Sequence, residues 1–301
     1  MDARTAICEI ASMRRTLLLI GLFPSLALAS GWNGRILDGH TREELDLSGL
    51  SVRLQGVRNI VLGEKHYTGP VQAAEAAVIR SVVSMTGAQF ATAWEFLNVK
   101  DGVETAAAFS DFRLGKIDAE GFLIRVHGPK AGVQDASYIP ILEVVKDLGG
   151  DFYGVNLSRE EKAPIVHGGI TAADPSLVPP GFEMGGPLYL ERFTLAMTGG
   201  HSSPEEIQNY FAAQCLTDDV MAHELLKIDA PIRFLVAGSF HSDYRDAAVR
   251  RIEARSEGDL TRSVRIIDAS DFTADELELF LHDERYGDLA DFAYFVNEPV
   301  R

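Results

Sequence analysis

Acid and imidazole side chains recur in this chain directly after short apolar runs. Ile60–Val61–Leu62 leads into Gly63–Glu64–Lys65–His66, and Phe234–Leu235–Val236–Ala237 leads into Gly238–Ser239–Phe240–His241. Two further runs end on polar groups: Phe90–Ala91–Thr92–Ala93–Trp94 on Glu95, and Phe152–Tyr153–Gly154–Val155 on Asn156. A neutral imidazole with a carboxylate can hold a divalent metal that keeps one position open for water. The same pair can work as general base and acid without metal. One such ending suits an ordinary surface turn equally well. Four of them point to a site.

The apolar runs say what must position these groups. Consecutive apolar residues without alternation suit strands buried on both faces, as in a parallel sheet covered by helices. Gly63 is expected to let the chain turn sharply off its strand. In an open α/β sheet, ligands bind beyond the carboxyl ends of the strands, so four parallel strands would line these endings along one edge. Pro70 opens a helix to about Met85, closed by Gly87. Strand, helix and strand make a βαβ unit and force parallel pairing. The fold expected is α/β: a mostly parallel sheet flanked by helices, with a helical insertion at about 98–137 over the strand C-terminal ends.

Other stretches read as support. A capping box is expected at Thr41–Arg42–Glu43–Glu44 and another at Ser158–Arg159–Glu160–Glu161. Arg159 is a cation in a helix first turn, where the dipole favours acids, so it can serve a bound anion. Residues 168–202, rich in Gly and Pro, read as a long loop or lid; His201 within it is expected to be solvated. From Pro204 to Lys227, Ile207, Phe211, Gln214, Asp218, Met221 and Leu225 share one helix face. Buried polar groups need partners, so Gln214 and Asp218 are expected to brace the site from behind. Ser242 to about Ser256 reads as a helix that Asp243 caps, with Tyr244 placed to reach the same crevice as His241. Val264–Ile267 and Phe292–Val296 read as strands, the latter at a sheet edge.

Composition narrows the classes. The 301 residues carry a net charge of −16, which argues against a nucleic-acid backbone or an anionic membrane as main partner. Met13–Arg14–Arg15, the apolar stretch from Thr16 to Leu26 and Ala27–Leu28–Ala29 match an export signal cut after Ala29. Met13 reads as the true start, 1–29 as signal segment and 30–301 as one domain. The apolar run is shorter than the roughly 20 residues of a spanning helix. Export removes Cys8 and leaves Cys215, which reads as a core residue. No Cys follows the cleavage signal, so a lipid anchor is not expected and a periplasmic location is.

These motifs in this order resemble the ChaN family: Gly63–Glu64–Lys65–His66, Glu95, Asn156–Leu157–Ser158–Arg159, Ala213 to Ala222 around Gln214 and Asp218, and Gly238 to Tyr244. ChaN is the haem-binding-uptake branch of a superfamily that also holds Tiki/TraB proteins and erythromycin esterases. The resemblance implies an exported haem-binding protein of iron acquisition, able to form a homodimer around haem. The hydrolase branches imply the alternative, a metal-dependent hydrolase. Carried over by motif, Glu64, His66, Glu95 and His241 are the shared centre, as catalytic groups or metal ligands. For haem, His66, Asn156, Arg159, Gln214, Asp218, His241 and Tyr244 are the binding candidates. The chain departs from the family in lacking a lipobox Cys and in carrying Gln72 where members often have a second His.

Overall fold

In a computed structural model, residues 31–129, 132–197 and 203–297 are described; the expected signal segment and His201 lie outside them. Eight strands make the main sheet: β1 (Ile36–Asp38), β2 (Glu44–Leu45), β3 (Asn59–Glu64), β4 (Phe90–Asn98), β5 (Asp151–Asn156), β6 (Ile232–Gly238), β7 (Thr261–Asp268) and β8 (Phe292–Val296). Their order is β2-β1-β8-β7-β3-β6-β4-β5. Every pairing from β8 to β5 is parallel, and β1 runs antiparallel to both β8 and β2. The four runs with polar endings are therefore adjacent strands. Their carboxyl ends share one edge.

The helices are α1 (Leu47–Arg53), α2 (Gly69–Thr86), α3 (Gly102–Arg113), α4 (Ala119–His127), α5 (Ile139–Asp147), α6 (Arg159–Gly168), α7 (Pro187–Met197), α8 (Pro204–Lys227), α9 (Ala248–Arg255) and α10 (Ala274–Leu281). Successive strand residues point to opposite faces. Ile60, Leu62, Trp94, Phe234 and Val236 meet α2, α5 and the insertion, whereas Val61, Ala93, Leu235 and Ala237 meet α8 and α9. The insertion stacks Phe109 on Phe152 of β5 (centroids 5.4 Å apart) and sets Phe122 edge-on to the same ring. Its last turn returns Tyr138 to the strand ends.

Several local expectations are corrected. Thr41 caps no helix: its N–H donates to Asp38 Oδ1 (2.8 Å) in the turn into β2, and Asp46 caps α1. Strands as short as β1 and β2 leave no periodicity to read, yet they cover β8, so that strand is not an edge. The segment 168–202 contains α7, which buries Tyr189, Arg192 and Phe193 at helical spacing. No continuous helix runs from Ser242. Tyr244 and Arg245 take positive φ (59° and 56°), which breaks the path, and α9 starts at Ala248. Asp243 is no cap; it is a buried partner of Arg265, 3.0 Å from Nε. The box at Ser158 forms as read, and Ser203 makes another at the start of α8.

Candidate functional site

The two Gly-x-x-His motifs meet because each glycine makes room for the other motif. β3 continues past Gly63 to Glu64, and neither Gly63 nor Gly238 takes a positive φ. Sharp turning is therefore not their role. A Cβ on Gly238 would lie 2.5 Å from His66 Nε2 and 2.8 Å from Cε1; one on Gly63 would lie 2.0 Å from Ser242 Oγ and 2.9 Å from Ser242 Cβ. Paired β3 and β6 bring the motifs side by side, with Glu64 opposite Gly238.

Between them stands Glu95, from the end of β4. His66 Nε2 is 3.0 Å from Glu95 Oε1, and His241 Nε2 is 3.3 Å from Glu95 Oε2. The Gly238 N–H also donates to Oε2 (2.8 Å). On the outer sides, His66 Nδ1 reaches Glu64 Oε1 at 2.7 Å, and His241 Nδ1 reaches Asp218 Oδ1 at 2.6 Å. The result is an alternating row: Asp218, His241, Glu95, His66, Glu64. A buried tyrosine closes each end, Tyr189 donating to Asp218 (2.7 Å) and Tyr138 donating to Glu64.

Burial opposes charge on both imidazoles and on Glu95, and the neighbours decide the outcome. For His66 burial lowers the pKa, but Glu95 and Glu64 outweigh it and raise it to about 10. His241 is likewise raised, by Glu95 and Asp218 against burial. For Glu95 burial acts upward, yet the two imidazoles and the Gly238 N–H pull it down to about 2. Each imidazole thus has a carboxylate against both of its ring nitrogens. Gln214 Nε2 lies 3.2 Å from His241 Nδ1.

Glu64 is held from three sides. Besides His66 and Tyr138, Gln72 Nε2 donates to its Oε2 at 2.6 Å. Below it Glu75 is fully buried, and neither of its oxygens meets a donor. Burial, then the charge of Glu64, push the Glu75 carboxyl well above the usual carboxylate range.

The structure thus brings together Glu64, His66, Glu95, Gln214, Asp218 and His241. Asn156 donates to the Glu95 carbonyl (2.8 Å), with its own Oδ1 buried and unpartnered. Arg159 is exposed at the start of α6. Tyr244 goes elsewhere: its ring meets Tyr286 (5.4 Å), with the Arg192 guanidinium 5.0 Å from its centroid. Sequence reasoning missed Tyr67, Glu75, Tyr138 and Tyr189. Tyr138 and Tyr189 come from segments remote in sequence and carry no motif. Cys215 is buried with its thiol pushed up to about 12, chiefly by burial; this suits an inert core residue.

Among the described residues, no group of three or more His, Cys, Asp or Glu side chains is arranged to hold a metal ion. The row shows why: its ring nitrogens already meet carboxylates. No helix of the described residues is long and apolar enough to cross a membrane.

The model of the family described as haem-binding uptake, Tiki superfamily, ChaN matches residues 50–252. Among solved structures, one described as cofacial heme binding to ChaN of Campylobacter jejuni superposes with a TM-score of 0.66 at 20% identity, covering 86% of this chain and 95% of that one. The type III effector HopBA1 follows at 0.45 and 12% identity, covering 84% and 94%. An erythromycin esterase mutant in its open conformation gives 0.44 at 13% identity, covering 78% and 76%. No curated protein matches the sequence significantly.

Proposed function

The chain belongs to the haem-binding-uptake ChaN family of the Tiki superfamily, and from that membership we propose that it binds haem at the mouth of the crevice. The supporting observation is a half-exposed aromatic face at the strand ends. Phe96 lies 4.7 Å from the His66 ring and stacks on Tyr67 (5.4 Å, 26° between planes). A porphyrin is a flat apolar disc suited to such a surface, and its iron takes a His or Tyr ligand. His66 and Tyr67 have that chemistry. Either would give up a proton to bind iron, and His66 its contact with Glu95 as well. Bound haem would supply the redox-active iron; the protein's part is to hold and shield it.

A homodimer closing over the ligand is part of this reading. The amino-terminal segment supports export to the periplasm and a role in haem and iron acquisition. The test is an absorption titration of the chain from Ser30 to Arg301 with haemin. A saturable Soret shift is expected, weakened in Tyr67→Phe or His66→Ala. A flat, non-saturable response sinks the reading.

The alternating row favours a second reading, metal-dependent hydrolysis. Its protonation counts against it. A general base works best near the operating pH, and this site holds Glu95 at about 2 and His66 at about 10. A metal would first have to displace protons from the imidazoles. Hydrolase activity that appears with added divalent metal and disappears in Glu95→Gln would establish this alternative.

A further inference from the structure

At the edge of the sheet opposite the row, a cavity of about 500 Å³ has three arginines in its wall, Arg53, Arg245 and Arg262. Arg53 ends α1, and Arg262 is the second residue of β7. Asp38 and Phe292, paired across β1 and β8, line it too, so the cavity lies at the amino ends of the parallel strands. The row stands at their carboxyl ends. Asp291 and His40 complete the wall. Three arginines against two aspartates leave it one positive charge in excess with His40 neutral, in a chain whose net charge is −16.

The aspartates are already held by the protein. Asp38 Oδ1 accepts from the N–H groups of His40 (3.0 Å) and Thr41 (2.8 Å). Asp291 Oδ2 accepts from the Ser263 N–H (2.7 Å), the Ser263 hydroxyl (3.0 Å) and Arg245. Arg245 also donates to Glu253, so both ends of its fork are used. Arg262 differs. Its Nη1 donates to the Thr261 carbonyl (3.0 Å), and among the described residues its nearest carboxylate oxygen, Asp291 Oδ1, lies 3.8 Å from Nε, beyond hydrogen-bond range. His40 Nε2 stops 3.6 Å from the same oxygen. Arg53 pairs with Glu43 on the exposed side, where water screens the pair.

We propose that this cavity is a second ligand site, which takes a small molecule through an oxyanion group, phosphate or carboxylate, held by Arg262 and Arg53. Guanidinium forks match the paired oxygens of either group. A bare ion would leave most of the space empty. A cavity of about 500 Å³ has the size of a small-molecule site, and Phe292 gives it an apolar wall for the rest of the ligand. The site is independent of the haem reading.

The experiment follows the arginine Nε–Hε NMR signals of the protein while inorganic phosphate or citrate is added, against a chloride control of equal ionic strength. Saturable shifts of the Arg262 and Arg53 signals are expected with at least one of the two probes. Saturation by phosphate alone assigns the phosphate class, and saturation by citrate alone the carboxylate class. A charge-assisted hydrogen bond corresponds to about tenfold or more in affinity, so Arg262→Gln and Arg53→Gln should each weaken binding by about that factor. Arg80→Gln, at an exposed pair with Asp147 elsewhere, should leave it unchanged. The proposal is overturned if neither probe saturates, if chloride gives the same shifts, or if Arg262→Gln binds as tightly as wild type. Haem binding at the other edge stands in each of those cases. Should Arg262→Gln not fold, Arg53→Gln serves with the same outcomes.

Discussion

The two Gly-x-x-His motifs have the same spacing and sit at the ends of neighbouring strands, yet they are built differently. The first carries its own outer carboxylate, because Glu64 is two residues from His66. The second has Ser239 at the matching position and borrows Asp218 from α8, 23 residues away in sequence. His66 keeps 18% of its side chain exposed beside Phe96 and Tyr67, whereas His241 keeps 12% behind Glu95 and Gln214. One imidazole faces the ligand side. The other is an internal brace. Equal spacing in sequence does not mean equal roles, because the third partner of each histidine comes from the packing.

The largest effect is expected where the two motifs share a group. Glu95→Gln leaves two imidazoliums without their common carboxylate, and removing one partner of a buried ion pair costs about 3–5 kcal/mol. Denaturant unfolding measures this, and NMR titration should show the pKa of both histidines falling. Equal falls would mean the motifs are equivalent at Glu95; a fall confined to His66 would break the row.

The wild-type pH profile tests the same coupling. The folded pKa of Glu95 is depressed to about 2, so its contribution is present above the unfolded value near 4.3 and is lost as pH falls toward 2. His66 is raised to about 10, so its contribution is complete below about 6.5 and is lost as pH rises to 10. Stability should therefore peak between about pH 5 and 6.5 and decline on both sides. A melting temperature that stays flat from pH 7 to 10 would contradict the protonated His66.

Gly238→Ala should cost about 1–3 kcal/mol, as overpacking does, and push His66 off Glu95. Gly63→Ala should be comparably destabilising, with Ser242→Gly restoring it, because the atoms in the way are those of Ser242. Rescue of Gly63→Ala without rescue of Gly238→Ala would sharpen the asymmetry between the motifs. A change of similar size is expected at the two ends of the row. Tyr138→Phe and Tyr189→Phe each remove one hydrogen bond to a carboxylate, about 1.5–3 kcal/mol at most. Tyr138→Phe should perturb the His66 signals and Tyr189→Phe those of His241; crossed effects would show that the row titrates as one unit.

Much of the site was legible. The buried strands announced themselves as unbroken apolar runs, and their polar endings named Glu64, His66, Glu95 and His241. The Gln214 and Asp218 interruption of an apolar helix face required a polar neighbour, and His241 is that neighbour. β1 and β2 were illegible because strands of three and two residues carry no period. The break at Tyr244 was equally hidden, since a positive φ in non-glycine residues is imposed by surroundings.

Sequence alone determined which groups end the strands, because the hydrophobic pattern dictates the strands and strand ends sit at the sheet edge. Tertiary structure decided what those groups do. It turned Gly63 from a presumed hinge into a clearance for Ser242, and made Gly238 a clearance for His66. It placed Tyr138 and Tyr189 at the ends of the row. Clearance, burial and the pairing of charges are properties of neighbours in space, and those neighbours come from segments that the chain order keeps far apart.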